Sequence, residues 1–173
     1  MDKGTARKLG LYNRKQLTSS MRRQKSLSIF EELKDDIDQS NIVGCYVSMK
    51  EEVETNVILE YCFQNNKRIC VPKVIGNTLS FYEIHSMSDL EEGYFHVLEP
   101  VTDTLINVED IDLMIVPLSA YDVNNHRCGY GKGFYDSVLD TCKYKVGIAY
   151  KEQEVEMIEV EKHDISLDKI IAR

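Results

Sequence analysis

The sequence has no apolar run near the roughly 18 residues that a membrane-spanning helix needs. Its N-terminus is basic but lacks the apolar stretch of a signal peptide. Five cysteines (Cys45, Cys62, Cys70, Cys128, Cys142) are odd in number, scattered, and contain no C-x-x-C pair. That argues against a disulfide frame or a zinc site and points to reduced thiols in a cytoplasmic protein. The four histidines (His85, His96, His126, His163) show no H-E-x-x-H spacing. A G-x-S-x-G elbow is missing, which disfavours a serine hydrolase of that kind. There is no repeat, no low-complexity tract and no Pro/Ser-rich linker, and only three prolines occur. Positive charge is also short: the net charge is −8. A general nucleic-acid binder needs the opposite sign to release counterions from phosphate. Membrane and nucleic acid are therefore not expected partners.

What is present fits one α/β domain. The 173 residues and 43% hydrophobic content suit a single domain with an ordinary core. Charge is unevenly spread. Residues 1–25 hold eight basic side chains against Asp2, a net +7, leaving −15 for the rest. Residues 2–17 read as a basic helix with Lys3, Arg7 and Arg14 near one face, weakened by Gly10 by about 1 kcal/mol relative to alanine. A second helix, capped by Thr18 or Ser19, carries Leu27, Phe30, Leu33 and Ile37 at helical spacing. Strands are predicted at 42–47, 68–74, 79–84, 112–116, 145–150 and 167–172, with a helix capped by Thr55 and another near 136–142. Residues 86–108 read as irregular. Strands alternating with helices predict a mostly parallel central sheet flanked by helices, with ligands beyond the carboxyl ends of the strands.

The chemistry concentrates in Arg127-Cys128-Gly129-Tyr130-Gly131-Lys132-Gly133-Phe134-Tyr135-Asp136. Alternate glycines expose backbone N–H groups without Cβ obstruction. Arg127 and Lys132 add charges suited to phosphate oxygens, and the start of a helix adds orphan N–H donors. Neither the dinucleotide fingerprint nor the P-loop fits: Phe134 stands where the first needs glycine, and no hydroxyl follows Lys132 to hold magnesium. Asp136 is the local carboxylate for that task. Two cations and an acid within ten residues favour a phosphate cradle over a solvated turn. A second segment, Ser48 to Thr55, brings Glu51, Glu52 and Glu54 before a helix, and spacing alone does not choose among them. His163-Asp164, taken alone, is a surface pair.

Taken in order along the chain, these segments resemble the 5-formyltetrahydrofolate cyclo-ligase family. The resemblance runs through Lys3 and Arg7, then Arg14 and Leu17, Tyr46-Val47-Ser48-Met49, Glu52 to Thr55, Val71-Pro72 and Glu99-Pro100. It continues through Asp112-Leu113, Val116-Pro117, the loop 127–136, Gly147 to Tyr150 and His163-Asp164. It implies a ligase that converts 5-formyltetrahydrofolate, ATP and magnesium into 5,10-methenyltetrahydrofolate, ADP and phosphate. By that resemblance Lys3, Arg7 and Arg127, Cys128, Gly129, Tyr130, Gly131, Lys132, Gly133, Phe134 and Tyr135 bind ATP. Val47, Met49, Glu52 and Tyr135 contact the folate, with or without a polyglutamate tail, and Asp136 and Asp164 lie near Mg2+. Arg127, Lys132 and Glu52 are the expected catalytic residues, and a monomer is the expected state. Three positions depart from the family pattern: Leu118 and Asn125 where glycine is usual or frequent, and Tyr121 where phenylalanine is more frequent. Two other readings fit the residues: a sugar-phosphate or CoA-type enzyme on a related scaffold, and a non-catalytic nucleotide- or folate-binding module.

Overall fold

The computed structural model describes residues 1–173, the side chain of Tyr94 excepted. Its centre is a seven-stranded sheet of β1 (Ile42–Cys45), β2 (Arg68–Ile75), β3 (Thr78–Ile84), β6 (Leu105–Ile106), β7 (Leu113–Val116), β10 (Lys145–Ala149) and β11 (Lys169–Ala172), in the order β11-β10-β7-β1-β2-β3-β6. The pairings from β11 across to β2 are parallel, and the β2–β3 and β3–β6 pairings are antiparallel. Every residue of β7 is buried, as expected of a parallel strand covered on both faces. Leu113 and Ile115 join one apolar cluster and Met114 and Val116 the other, the alternation that a pleated strand imposes. The entry to β1 is stapled to β7 by Asp112, whose Oδ2 accepts from the amides of Asn41 and Ile42 at 3.0 and 2.9 Å.

Helix α2 (Ser19–Asp38) covers one face through Ile29, Phe30, Leu33 and Ile37, together with α3 (Asn56–Gln64) through Ile58 and Leu59. Leu27, expected in that stripe, is 42% exposed. It sits off the buried arc, and Ser26 takes the inward place. Thr55 precedes α3 as expected but does not cap it with its side chain. Its hydroxyl donates instead to the Tyr46 carbonyl at 2.9 Å and accepts from the Ser48 amide. The stretch 86–108 is more ordered than its polarity suggests. It forms a small ribbon of β4 (Leu90–Glu92) and β5 (Leu98–Pro100), and its end supplies β6 to the edge of the main sheet.

Helix α1 (Lys3–Lys15) lies against β8 (Ala120–Tyr121) and β9 (Arg127–Cys128), which pair with each other beyond the end of β7. Gly10 makes that approach possible. A Cβ there would stand 2.1 Å from the Ser119 carbonyl oxygen and 2.9 Å from the Ala120 Cβ. Intrinsic propensity favours alanine at this position by about 1 kcal/mol, but overpacking against fixed backbone costs about 1–3 kcal/mol or more. Gly10→Ala is therefore expected to lower the unfolding midpoint in urea; a rise would contradict this packing. Two departures from the family pattern also find their places. Asn125 adopts φ +62°, a left-handed conformation that asparagine tolerates better than most residues. Leu118 is buried, and its Cδ2 sits 3.0 Å from where a Cβ on Gly147 would be, so the bulk added at 118 fills space that Gly147 leaves.

Candidate active site

The chain runs outward from β1 to β2 on one side and later returns to place β7 on the other. Ligands collect beyond the strand ends at such a switch point. A cavity of about 490 Å³ opens there. Lys3, Arg7, Val47, Met49, Glu52 and the whole run from Arg127 to Asp136 line it. Of the residues to which the resemblance gives a site role, Asp164 alone does not.

One wall is cationic and rich in glycine. Gly131 and Gly133 take φ +90° and +71°, conformations that favour glycine. The Ser119 hydroxyl lies 3.0 and 2.8 Å from the Cys128 and Gly129 carbonyl oxygens. Arg7 Nε donates to the same Gly129 carbonyl at 2.9 Å. The two loop cations are not alike. Arg127 has a side chain only 4% exposed; its Nε and Nη2 donate to the Pro117 carbonyl and its guanidinium stacks on Tyr135. Burial pulls its pKa downward, opposed first by Asp136. Lys132 is exposed on the loop, with its Nζ 5.7 Å from the Phe95 ring centroid. Lys3 Nζ donates to Asp164 Oδ1 at 2.6 Å, so Asp164 reaches the site through Lys3.

The opposite wall holds a buried carboxylate. After β1 the chain is fixed by the Tyr46 hydroxyl donating to the Val53 carbonyl and by reciprocal Ser48 and Thr55 contacts. That frame aims the Met49 amide at Glu52 Oε1, 2.8 Å away. Tyr130 O–H donates to Glu52 Oε2 at 2.8 Å, and Arg14 Nη1 donates to the Tyr130 oxygen at 2.8 Å. Glu52 is 8% exposed. Burial pushes its pKa up, against the Met49 amide, the Tyr130 hydroxyl and the Arg14 charge. Geometry thus separates Glu52 from Glu51 and Glu54, which spacing could not.

Sequence reasoning missed an apolar side of the cavity, formed by Pro72, Val74 and Leu79 of the β2–β3 hairpin with Phe95, Val97 and Leu98. It also gave Arg14 a helix face but no role; only the fold shows what that face meets. The Tyr135 hydroxyl, on the same cavity, is buried with no hydrogen-bond partner. An unsatisfied hydroxyl costs about 1–3 kcal/mol, so this wall suits a ligand that brings a polar atom. Among the described residues no cluster of three His, Cys, Asp or Glu side chains could hold a metal. Asp136 lines the cavity, is half exposed, and touches Arg127 only at 3.5 Å. A half-exposed carboxylate beside a cationic, glycine-rich loop is the kind of donor Mg2+ takes, since it binds through one or two carboxylates plus substrate phosphates.

Together these walls suit an anionic polyphosphate on one side and a partly apolar ring system with N–H groups on the other. Comparison with known proteins points to one family. The chain is 32% identical over 142 residues to 5-formyltetrahydrofolate cyclo-ligase of Escherichia coli, covering 76% of this chain and 78% of that one. It is 27% identical over 148 residues to the protein of the same name from Mus musculus, covering 76% and 73%. Its fold matches the NMR structure of Aquifex aeolicus 5,10-methenyltetrahydrofolate synthetase with a TM-score of 0.88 at 35% identity, covering 98% of this chain and 89% of that one. A family model matches residues 1–173 from end to end, and with the site's geometry it establishes that the chain belongs to the 5-formyltetrahydrofolate cyclo-ligase family.

Proposed function

We propose that this enzyme uses ATP, with Mg2+, to close 5-formyltetrahydrofolate to 5,10-methenyltetrahydrofolate, releasing ADP and phosphate. The observation that carries the reading is that a glycine-and-cation wall faces a buried carboxylate across one cavity. A formamide is a poor electrophile and its oxygen a poor leaving group. Attack of the formyl oxygen on the γ-phosphorus of ATP forms an O–P bond and releases ADP. Nitrogen 10 of the folate then attacks the activated carbon, the C–O bond breaks with loss of phosphate, and nitrogen 10 gives up its proton.

Phosphoryl transfer depends on positioning and charge neutralisation. In this reading Lys132 follows the transferring phosphate, the amides of residues 129–133 cradle the chain of phosphates, and Lys3 and Arg7 close the cradle from α1. Arg127, anchored on Pro117, keeps the loop in shape and offers Nη1 toward Asp136. Asp136 would hold Mg2+, which neutralises charge on the phosphate oxygens when bound. Asp164 holds Lys3. Val47, Met49 and the apolar side receive the pterin, and Glu52 orients it and takes the nitrogen 10 proton. A pKa raised by burial brings a carboxylate nearer to the operating pH for that role.

The test is direct. Protein mixed with 5-formyltetrahydrofolate and Mg-ATP should produce the near-UV absorbance of methenyltetrahydrofolate together with one ADP per product. No ATP-dependent absorbance would sink the proposal. ATP binding with no ADP release would point to a binding module instead, and turnover of a sugar phosphate or CoA ester without ADP would point to the other scaffold activity.

A further inference from the structure

The reaction outlined above assigns no task to Arg14 or to the Tyr130 hydroxyl. Arg14 is 7% exposed. Its Nη1 donates to a neutral phenol, and its Nε is buried with no partner. A buried cation satisfied so incompletely is a costly choice for stability alone. What it does achieve is a continuous chain of contacts, from Arg14 Nη1 to the Tyr130 oxygen to Glu52 Oε2, each step 2.8 Å.

The placement of Tyr130 gives that chain meaning. It follows Gly129, whose carbonyl accepts from Arg7. It precedes Gly131, where a Cβ would lie 3.5 Å from the Arg7 guanidinium carbon. Helix α1 therefore grips two successive loop residues with arginines seven positions apart, about 10 Å along its axis. Arg7 holds the loop beside the nucleotide wall, and Arg14 holds it beside Glu52. A shift of the loop at one grip is felt at the other.

We propose that Arg14 and Tyr130 are positioning residues that couple the two substrate sites. Nucleotide binding sets the glycine loop and with it the Tyr130–Glu52 hydrogen bond; folate binding at Glu52 sets the loop in return. The proposal rests on reading the cavity as a joint ATP and folate site. Coupling of this kind is reciprocal, and usual values lie at about 5- to 150-fold in affinity.

The experiment is calorimetric titration of the full chain with 5-formyltetrahydrofolate, with and without an imido analogue of ATP and magnesium. The intact chain should bind the folate about tenfold more tightly when the analogue is present. Tyr130→Phe keeps the ring and its contact with Arg14, at 5.8 Å, but should bring the ratio below about twofold. Arg14→Met should do the same, and Arg14→Lys should restore part of it. A purely structural role would change both folate affinities in parallel and leave the ratio intact. An unchanged ratio in Tyr130→Phe and Arg14→Met, with both ligands bound, overturns this inference alone. Failure of the intact chain to bind either ligand overturns the functional reading as well.

Discussion

Replacing Lys132 with alanine should lower kcat by roughly a hundred- to a thousandfold while leaving the unfolding midpoint nearly unchanged. The two halves of that expectation have separate causes. Lys132 is exposed and its Nζ lies over the ring of Phe95, itself an exposed side chain, so truncation leaves no cavity and no buried group without a partner. Its ammonium stands on the loop wall where charge would build up as the γ-phosphoryl group leaves ADP. A donor aimed at developing charge is worth more in the transition state than in the bound substrate, so the loss should fall on kcat more than on the KM for ATP. Lys132→Arg should recover part of the rate. The measurement is initial-rate kinetics at saturating folate, with a thermal melt as control. A kcat within threefold of the parent would remove Lys132 from the transition state.

Glu52→Gln should lower kcat by about a hundredfold or more, the usual worth of a placed general base, with ATP affinity retained. Glutamine has one oxygen where glutamate has two, so either the Met49 amide or the Tyr130 hydroxyl loses its acceptor. The variant should nevertheless be the more stable protein at neutral pH. Burial raises the folded-state pKa of Glu52 above its ordinary 4.5. Its contribution to stability is therefore fully present below that ordinary value and is lost as pH rises through the raised one. Glutamine never ionises and escapes the loss. Melting curves of parent and variant should lie close together near about pH 4 and separate as pH rises, the variant melting higher. An unchanged kcat would remove Glu52 from proton transfer, and a variant that melts lower at neutral pH would refute the burial argument.

Much of this was legible in the residues because strong local signals coincide with the elements they build. Four successive apolar residues, Leu113 to Val116, can be little other than a covered strand, and the alternating glycines of 129–133 announce a turn that must admit close contacts. The signal fails where structure is made by partners distant in sequence. Leu105-Ile106 is too short and its surroundings too polar to read as a strand, yet the exposed edge of β3 recruits it. Thr55 has the residue type and place of a cap, but the Tyr46 carbonyl is a competing acceptor for its hydroxyl. Gly10 looks like a flaw in a helix until Ser119 is placed against it. Glu52 was distinguishable from Glu51 and Glu54 only by resemblance, because what selects it is the hydroxyl of Tyr130, 78 positions away.

The distances along the chain bear on how the enzyme comes into being. Helix α1 is made ahead of the groups that receive it: Arg14 waits 116 positions for Tyr130, Arg7 waits 122 for Gly129, and Lys3 waits 161 for Asp164. Alone, a helix of 13 residues interrupted by glycine is marginal in water. On the ribosome, then, α1 stays without its docking surface until residues 120–128 have followed it. Contacts of such range close late. A nascent chain can assemble β1, β2 and β3 while α1 still lacks the groups it docks on, so the side of the cavity that α1 shares with residues 127–131 closes only after that segment has been made.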